Sequence, residues 1–358
     1  MISIRMSAAG LAAAAMLALA AGAQAHSYAY TTIDAPADPS LFGTVVTDIN
    51  NAGQTSGYYV DLVFTGDPSN PFAEVFHAFE GSADGGVFTN IDQPGFGQNG
   101  SSGINNAGAI VGVSGNFGGS GAGFLRSPGG AFSTVDPASQ GFPSLYSEAI
   151  GIDDAGVIYG YFATAVGPDG GPVRASSHGY IDSGGVFTQF DVPAGLGVGT
   201  QLIVANKSGV IAGGYVDLGG NDQGFIYTPG LGFSTPTFPD GAPSSEIGTI
   251  NTAGDYVGSG IFDTPASPLG YIADGFLFSE GGFHVLAAPG AFSTEPLGLN
   301  DRGQITGLYI DPNGIHGFVA TPAPEPAAWA LLLAGVGLLG AALRRGRGTE
   351  SRALGDTY

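Results

Sequence analysis

Residues 104–116 read INNAGAIVGVSGN, and this stretch decides the architecture because it recurs. Its counterparts are INNAGQTSGYYVD at 49–61, IDDAGVIYGYFAT at 152–164, ANKSGVIAGGYVD at 205–217, INTAGDYVGSGIF at 250–262 and LNDRGQITGLYID at 299–311. Each keeps the frame Asn/Asp-x-x-Gly-x-x-x-Gly. The first glycines, Gly53, Gly108, Gly156, Gly209, Gly254 and Gly303, lie 55, 48, 53, 45 and 49 residues apart. Six copies at a period near 50 residues describe a repeat architecture.

The frame has the chemistry of a hairpin. Asn50, Asn105, Asp153, Asn206, Asn251 and Asn300 can each bond their own backbone two residues on, and the glycine three positions later can take a positive φ. A loop this short joins antiparallel strands. After it, Ile305, Gly307 and Tyr309 alternate with Gln304, Thr306 and Leu308 as on a strand, and the second glycine lets a neighbouring backbone approach. These Asn, Asp and Gly residues are therefore read as structural. Between the turns, HAFEGSADGGVFTNID (77–92), GFLRSPGGAFSTVD (123–136), HGYIDSGGVFTQFD (178–191), GFIYTPGLGFSTPTF (224–238) and GFLFSEGGFHVL (275–286) each give an aromatic strand, a glycine turn and another strand.

Four short strands per unit of about 50 residues predict an all-β, β-propeller-like body with six four-stranded repeats. The sixth unit ends at HGFVAT (316–321) without a partner strand, whereas YAYTTIDAP, starting at Tyr28, resembles VFTNIDQP of the first unit. The N-terminal strand is thus expected to complete the last blade and remove its exposed edge. A parallel β-solenoid is the rival architecture, although its coils are usually shorter and need no such complement.

Composition narrows the function classes. Between residues 26 and 323 there are 27 acidic and four basic residues, Arg126, Arg174, Lys207 and Arg302, a formal charge of −23. Nucleic acid and anionic membrane surfaces are repelled by such a body. Without a single cysteine, the chain has neither disulfides nor thiolate metal sites. Its 64 glycines fit many turns, and 11% aromatic residues argue against disorder.

Both ends carry addresses. Residues 1–25 hold Arg5, an Ala/Leu-rich run and Ala23-Gln24-Ala25, the pattern of a secretory signal with cleavage after Ala25. The body follows over 26–321. Residues 322–348 contain three prolines, an uncharged stretch at 327–343 and then Arg344, Arg345 and Arg347; the tail is 349–358. Seventeen apolar residues reach about 25 Å as a helix, enough for a short membrane span, and the arginines place its end on the cytoplasmic side. Pro324, Glu325 and Pro326, the apolar helix and the arginine cluster together resemble the PEP-CTERM sorting signal. That resemblance implies recognition and removal by the membrane protease exosortase after signal peptidase has acted, and hence delivery to the cell surface or medium. The units also resemble HAF-type extracellular repeats, through His77-Ala78-Phe79 and the related His178-Gly179-Tyr180 and His316-Gly317-Phe318.

No catalytic or metal site is expected. His77, His178 and His316 occupy equivalent positions in different repeats, which argues against a shared metal; Asp34, Asp92, Asp136 and Asp191 read as turn formers. Oxygen-rich loops at 166–172, 217–224 and 311–314 suit weak Ca²⁺ binding but lack the full spacing of a calcium loop. Glu74, Glu80, Glu148, Glu246, Glu280 and Glu295 do not share one frame position. The expected function is that of an exported, non-catalytic surface or matrix protein binding an exopolysaccharide or a surface protein. The alternative is a secreted glycan-active hydrolase or lyase with carboxylates converging at the propeller mouth.

Overall fold

The structure is a computed structural model and describes residues 27–36, 43–67, 70–115, 121–167, 170–238, 241–263 and 271–323. The signal segment with Ala23 and Ala25 lies outside these residues. So do Pro324, Glu325, Pro326, Arg344, Arg345, Arg347, the expected helix at 327–343 and the tail. Among the described residues, no helix is long and apolar enough to cross a membrane.

One compact unit, Tyr30–Thr321, holds the repeats; among the described residues outside it, the Ala323 N–H donates to the Ser27 carbonyl at 2.8 Å. The strands form six four-stranded sheets. Blade 1 comprises Thr44–Ile49, Gln54–Asp67, Asn70–Ser82 and Phe88–Asn90; blade 2, Gln98–Ile104, Ile110–Gly115, Ala122–Arg126 and Phe132–Val135. Blade 3 comprises Tyr146–Ile152, Ile158–Ala163, Ser177–Asp182 and Phe187–Gln189; blade 4, Gly197–Ala205, Ile211–Asp217, Asp222–Thr228 and Gly232–Ser234. Blade 5 comprises Ser244–Ile250, Tyr256–Asp263, Tyr271–Ser279 and Gly282–Leu286. Blade 6 comprises Ser293–Leu299, Ile305–Asp311 and Gly314–Pro322, and its fourth strand is the N-terminal Tyr28–Ile33. The chain is a six-bladed β-propeller closed by its first strand. Six separate sheets with consecutive antiparallel strands exclude the solenoid.

The two glycines of each frame have different duties. The turn glycines take positive φ, from 74° at Gly209 and Gly303 to 92° at Gly254. The second glycines, Gly57, Gly112, Gly160, Gly213, Gly258 and Gly307, pair directly with Phe79, Phe124, Tyr180, Phe225, Phe276 and Phe318 on the third strand. Those six aromatics are buried to 3% exposure or less and form the centre of each blade. A Cβ on the glycine would collide with a first-strand carbonyl, as at Gly112, where Gly100 O would lie 2.0 Å away. In five blades the ring of the paired aromatic lies against the bare glycine, and at Gly258 the Phe238 ring takes that place. Apolar clusters then fill the spaces between adjacent blades, for example Val111, Val135, Ile152, Phe162 and Tyr180 between blades 2 and 3.

Candidate functional site

Every first strand carries a β-bulge at the same point. The register skips Thr47, Ser102, Ile150, Ile203, Gly248 and Leu297 in blades 1 to 6. All six residues line one axial cavity of about 630 Å³. A bulge locally re-aims the side chains of its strand, and in this ring all six bulged positions stand on the cavity wall.

Five residues before each turn Asn or Asp, the first strands present Val45, Gly100, Glu148, Gln201, Glu246 and Glu295. The six glutamates do not share one frame position, but three of them do: Glu148, Glu246 and Glu295 are equivalent residues of blades 3, 5 and 6. The signal was in the sequence as a constant offset, counted backwards from the turn. Glu74 joins them in lining the cavity, together with Asp48 and Asp222. Glu80 does not, because it pairs with Arg126 of blade 2 at 3.2 Å, and Glu280 is an exposed turn residue with φ of 54°.

The carboxylates sit in distinct surroundings. Glu148 accepts hydrogen bonds from the hydroxyls of Tyr161 (3.0 Å), Ser102 (3.2 Å) and Tyr146 (3.3 Å). Burial pushes its carboxyl above the usual range, against the pull of those hydroxyls and of Arg174. Glu246 is also pushed up by burial, with Arg174 pulling it down and Asp222 pushing it up. Glu295 is only 5% exposed. Burial, followed by the charges of Glu295 and Glu148, drives the Tyr58 phenol well above its ordinary value. Asp48, whose carboxylate accepts the N–H groups of Ile49 (2.8 Å) and Ile104 (2.9 Å), is raised by burial to about 7.

Arg174 supplies positive charge to this wall. It comes from a single 3₁₀ turn, Arg174–Ser176, in the long connection between the second and third strands of blade 3. Its guanidinium reaches Asp222 of blade 4 at 2.5 Å and Glu246 of blade 5 at 3.8 Å. Gly199 makes room for this approach: a Cβ there would lie 2.1 Å from the Arg174 carbonyl. Aromatic faces complete the lining, with Tyr58 and Phe76 rings 5.9 Å apart on blade 1 and Tyr215 on blade 4.

The turn residues ring the other end of the axis, around a second space of about 590 Å³. Each Oδ1 accepts from its own turn backbone, as Asn50 does from Ala52 and Gln54 and Asp153 from Ala155 and Val157. The amides do more than close turns. Asn50 Nδ2 donates to Asn105 O, Asn105 to Asp153 O, Asn206 to Asn251 O and Asn300 to Asn50 O, each linking a blade to the next. Asp153 has no amide to give, and there Lys207 of blade 4 contacts Asp154 of blade 3 at 3.8 Å. Thr252 N donates to Asp301, which joins blades 5 and 6.

The three repeat histidines are structural partners inside their own blades. His77 Nδ1 lies 2.6 Å from Asp92, His178 Nδ1 2.9 Å from Asp191, and His316 Nδ1 3.0 Å from Asp34. The first two carboxylates also accept the N–H following the histidine, from Ala78 and Gly179. Reading these aspartates as turn formers missed the pairing; only Asp136 keeps that role, capping a 3₁₀ turn through Ala138 N. Among the described residues no group of three His, Asp or Glu is placed to hold a metal. In the loops considered for calcium, Asp217 and Asp311 accept from their own backbones, at Gly219, Asn221, Asn313 and Gly314.

Comparison with known proteins finds the PEP-CTERM protein-sorting motif at residues 322–347. No curated protein matches the chain. Among solved structures, TolB from Acinetobacter baumannii is 15% identical with a TM-score of 0.45, the match covering 76% of this chain and 65% of TolB. A lectin from Aleuria aurantia is 12% identical with a TM-score of 0.45, covering 81% of this chain and 100% of the lectin. A gluconolactonase from Xanthomonas campestris is 12% identical with a TM-score of 0.44, covering 82% of this chain and 98% of that one. Likenesses at this level carry no argument about activity.

Proposed function

We propose that this protein is an exported, non-catalytic surface or extracellular-matrix module that binds a glycan in its axial cavity. The observation that carries this reading is the chamber of about 630 Å³, whose wall is shared by Glu74, Glu246, Glu295 and Arg174 with the aromatic Tyr58, Phe76 and Tyr215. A concave site with a mainly apolar wall and a few convergent polar groups is the usual form of a small-ligand pocket. Carboxylates accept sugar hydroxyls in pairs, and aromatic faces receive the apolar side of a pyranose. The PEP-CTERM motif implies export and a C-terminal membrane anchor ahead of exosortase processing. Signal-peptidase cleavage after Ala25, HAF-type repeats and a place in a biofilm matrix belong to the same proposal. A glycan array probed with the full chain, beside Glu246→Gln, tests it: the reading requires a sugar signal that this variant weakens, and an array blank for both would refute it.

A second reading, a glycan hydrolase or lyase, is favoured by one feature. Glu148 is held toward its acid form in a chamber shared with other carboxylates, as a proton donor would be. Incubating the bound glycan with the protein and measuring new reducing or unsaturated ends separates the readings. Turnover abolished by Glu148→Gln supports the enzyme; a stable complex supports the binding module.

A further inference from the structure

We infer that the site continues out of the cavity along one hairpin, so that its ligand is a glycan chain several sugars long and not a single terminal sugar. The inference rests on the cavity being the glycan site. The second and third strands of blade 1 have 14 and 13 residues, whereas the corresponding strands of the other blades have 5 to 9. Their register pairs Tyr58 with Ala78, Val60 with Phe76, Leu62 with Glu74 and Phe64 with Phe72. Alternate residues of a strand share a face, so these pairs form one continuous surface. Tyr58, Val60, Phe76 and Glu74 line the cavity. Leu62, Phe64 and Phe72 carry the same face onward into solvent, 39%, 69% and 54% exposed, with the two phenylalanine rings 5.9 Å apart. Val63, on the opposite face, is 47% exposed, so the hairpin stands clear of the body there. Four residues of strand beyond Val60 add about 13 Å at 3.3 Å per residue, room for more than one further sugar ring.

An apolar strip that no core needs is an interaction surface. Its occupant follows from continuity and charge. The strip runs from the cavity wall without interruption, and a body carrying −23 rejects anionic polymers and anionic membranes. A neutral or amine-bearing glycan has flat apolar faces for Phe64 and Phe72 and hydroxyls for Glu74, and so fits both parts of the surface at once.

The test is calorimetry on the full chain with neutral β-linked glucose, xylose and N-acetylglucosamine oligomers of one to six units, in wild type, Phe64→Ser/Phe72→Ser and Glu246→Gln. Both phenylalanines are exposed, so the double variant keeps the fold, checked by its melting temperature. The inference expects affinity to rise about tenfold from the shortest bound oligomer to the longest. The double variant removes that rise while leaving the shortest oligomer unchanged, and Glu246→Gln weakens every length. Affinity independent of length, or a rise that survives the double variant, overturns the extended strip and leaves the cavity reading standing. Concentration-dependent dimers abolished by the double variant also overturn it, by giving the strip to a second copy. Absence of binding at every length overturns the cavity reading and this inference with it.

Discussion

Replacing Gly160 by alanine tests why each repeat carries a second glycine. The new Cβ would lie 2.1 Å from the Glu148 carbonyl and 2.7 Å from the Tyr180 hydroxyl, where real Cβ atoms keep at least 3.0 Å. The first strand of blade 3 would have to recede by about 0.9 Å, the difference between 3.0 and 2.1 Å. That movement also strains the bond from Tyr180 Oη to Glu148 O, now 3.1 Å, inside a fully buried ring site. Overpacking costs about 1–3 kcal/mol and an unmade buried hydrogen bond about 1–3 more. The expected loss is therefore about 2–6 kcal/mol, a large share of the ~5–15 kcal/mol that holds a domain together. Gly156→Ala in the adjacent turn is the control: its φ is 83° and a Cβ would meet nothing within 4 Å. Only the left-handed backbone is then penalised, by about 1–2 kcal/mol. Urea unfolding followed by circular dichroism should place Gly160→Ala well below Gly156→Ala. If the two midpoints coincide, or the order is reversed, close packing of ring on backbone is not what the second glycine serves.

Other perturbations probe other parts of the ring. Asn300→Asp keeps the turn acceptor but removes the donor to Asn50 O between blades 6 and 1, so the melting temperature should drop by the equivalent of about 1–3 kcal/mol; an unchanged value would deny the amides their linking role. Asp48, raised to about 7, binds a proton in the folded state that the unfolded chain has already lost between about pH 4 and 7. Its contribution to stability is hence present at low pH and lost as pH rises through 7. Asp48→Asn should flatten that segment of the urea midpoint against pH. Asp217 and Asp311, lowered mainly by backbone hydrogen bonds, contribute the opposite slope only below about pH 4. His316→Ala should raise amide exchange across Tyr28–Ile33, since that histidine pairs with Asp34 just beyond the closing strand, while His77→Ala should leave it unchanged.

Much of the molecule was legible in the residues because it is encoded locally and six times over. The frame Asn/Asp-x-x-Gly-x-x-x-Gly forms a turn in all six copies, and four strands per 50-residue unit follow from counting. The unpartnered HGFVAT element predicted its complement in YAYTTIDAP, since an open sheet edge demands one. Contacts across blades were not legible in this way. Asn50 Nδ2 reaches Asn105 O, 55 residues on, because the blades converge on an axis, and no local pattern reports how near the turns then lie. His77 and Asp92 both stand out as repeat positions, yet their pairing depends on the register of the third and fourth strands. Glu148, Glu246 and Glu295 were legible as an offset, but only the convergence of the first strands on the axis turns that offset into one chamber. Arg174 lies in an irregular connection, and its reach to Asp222 and Glu246 was decided entirely by tertiary structure. Sequence determined the blades, their turns and their closure, because those rest on the backbone preferences of single residues; packing around the axis decided the site, because charges about 50 residues apart meet only when the ring is closed.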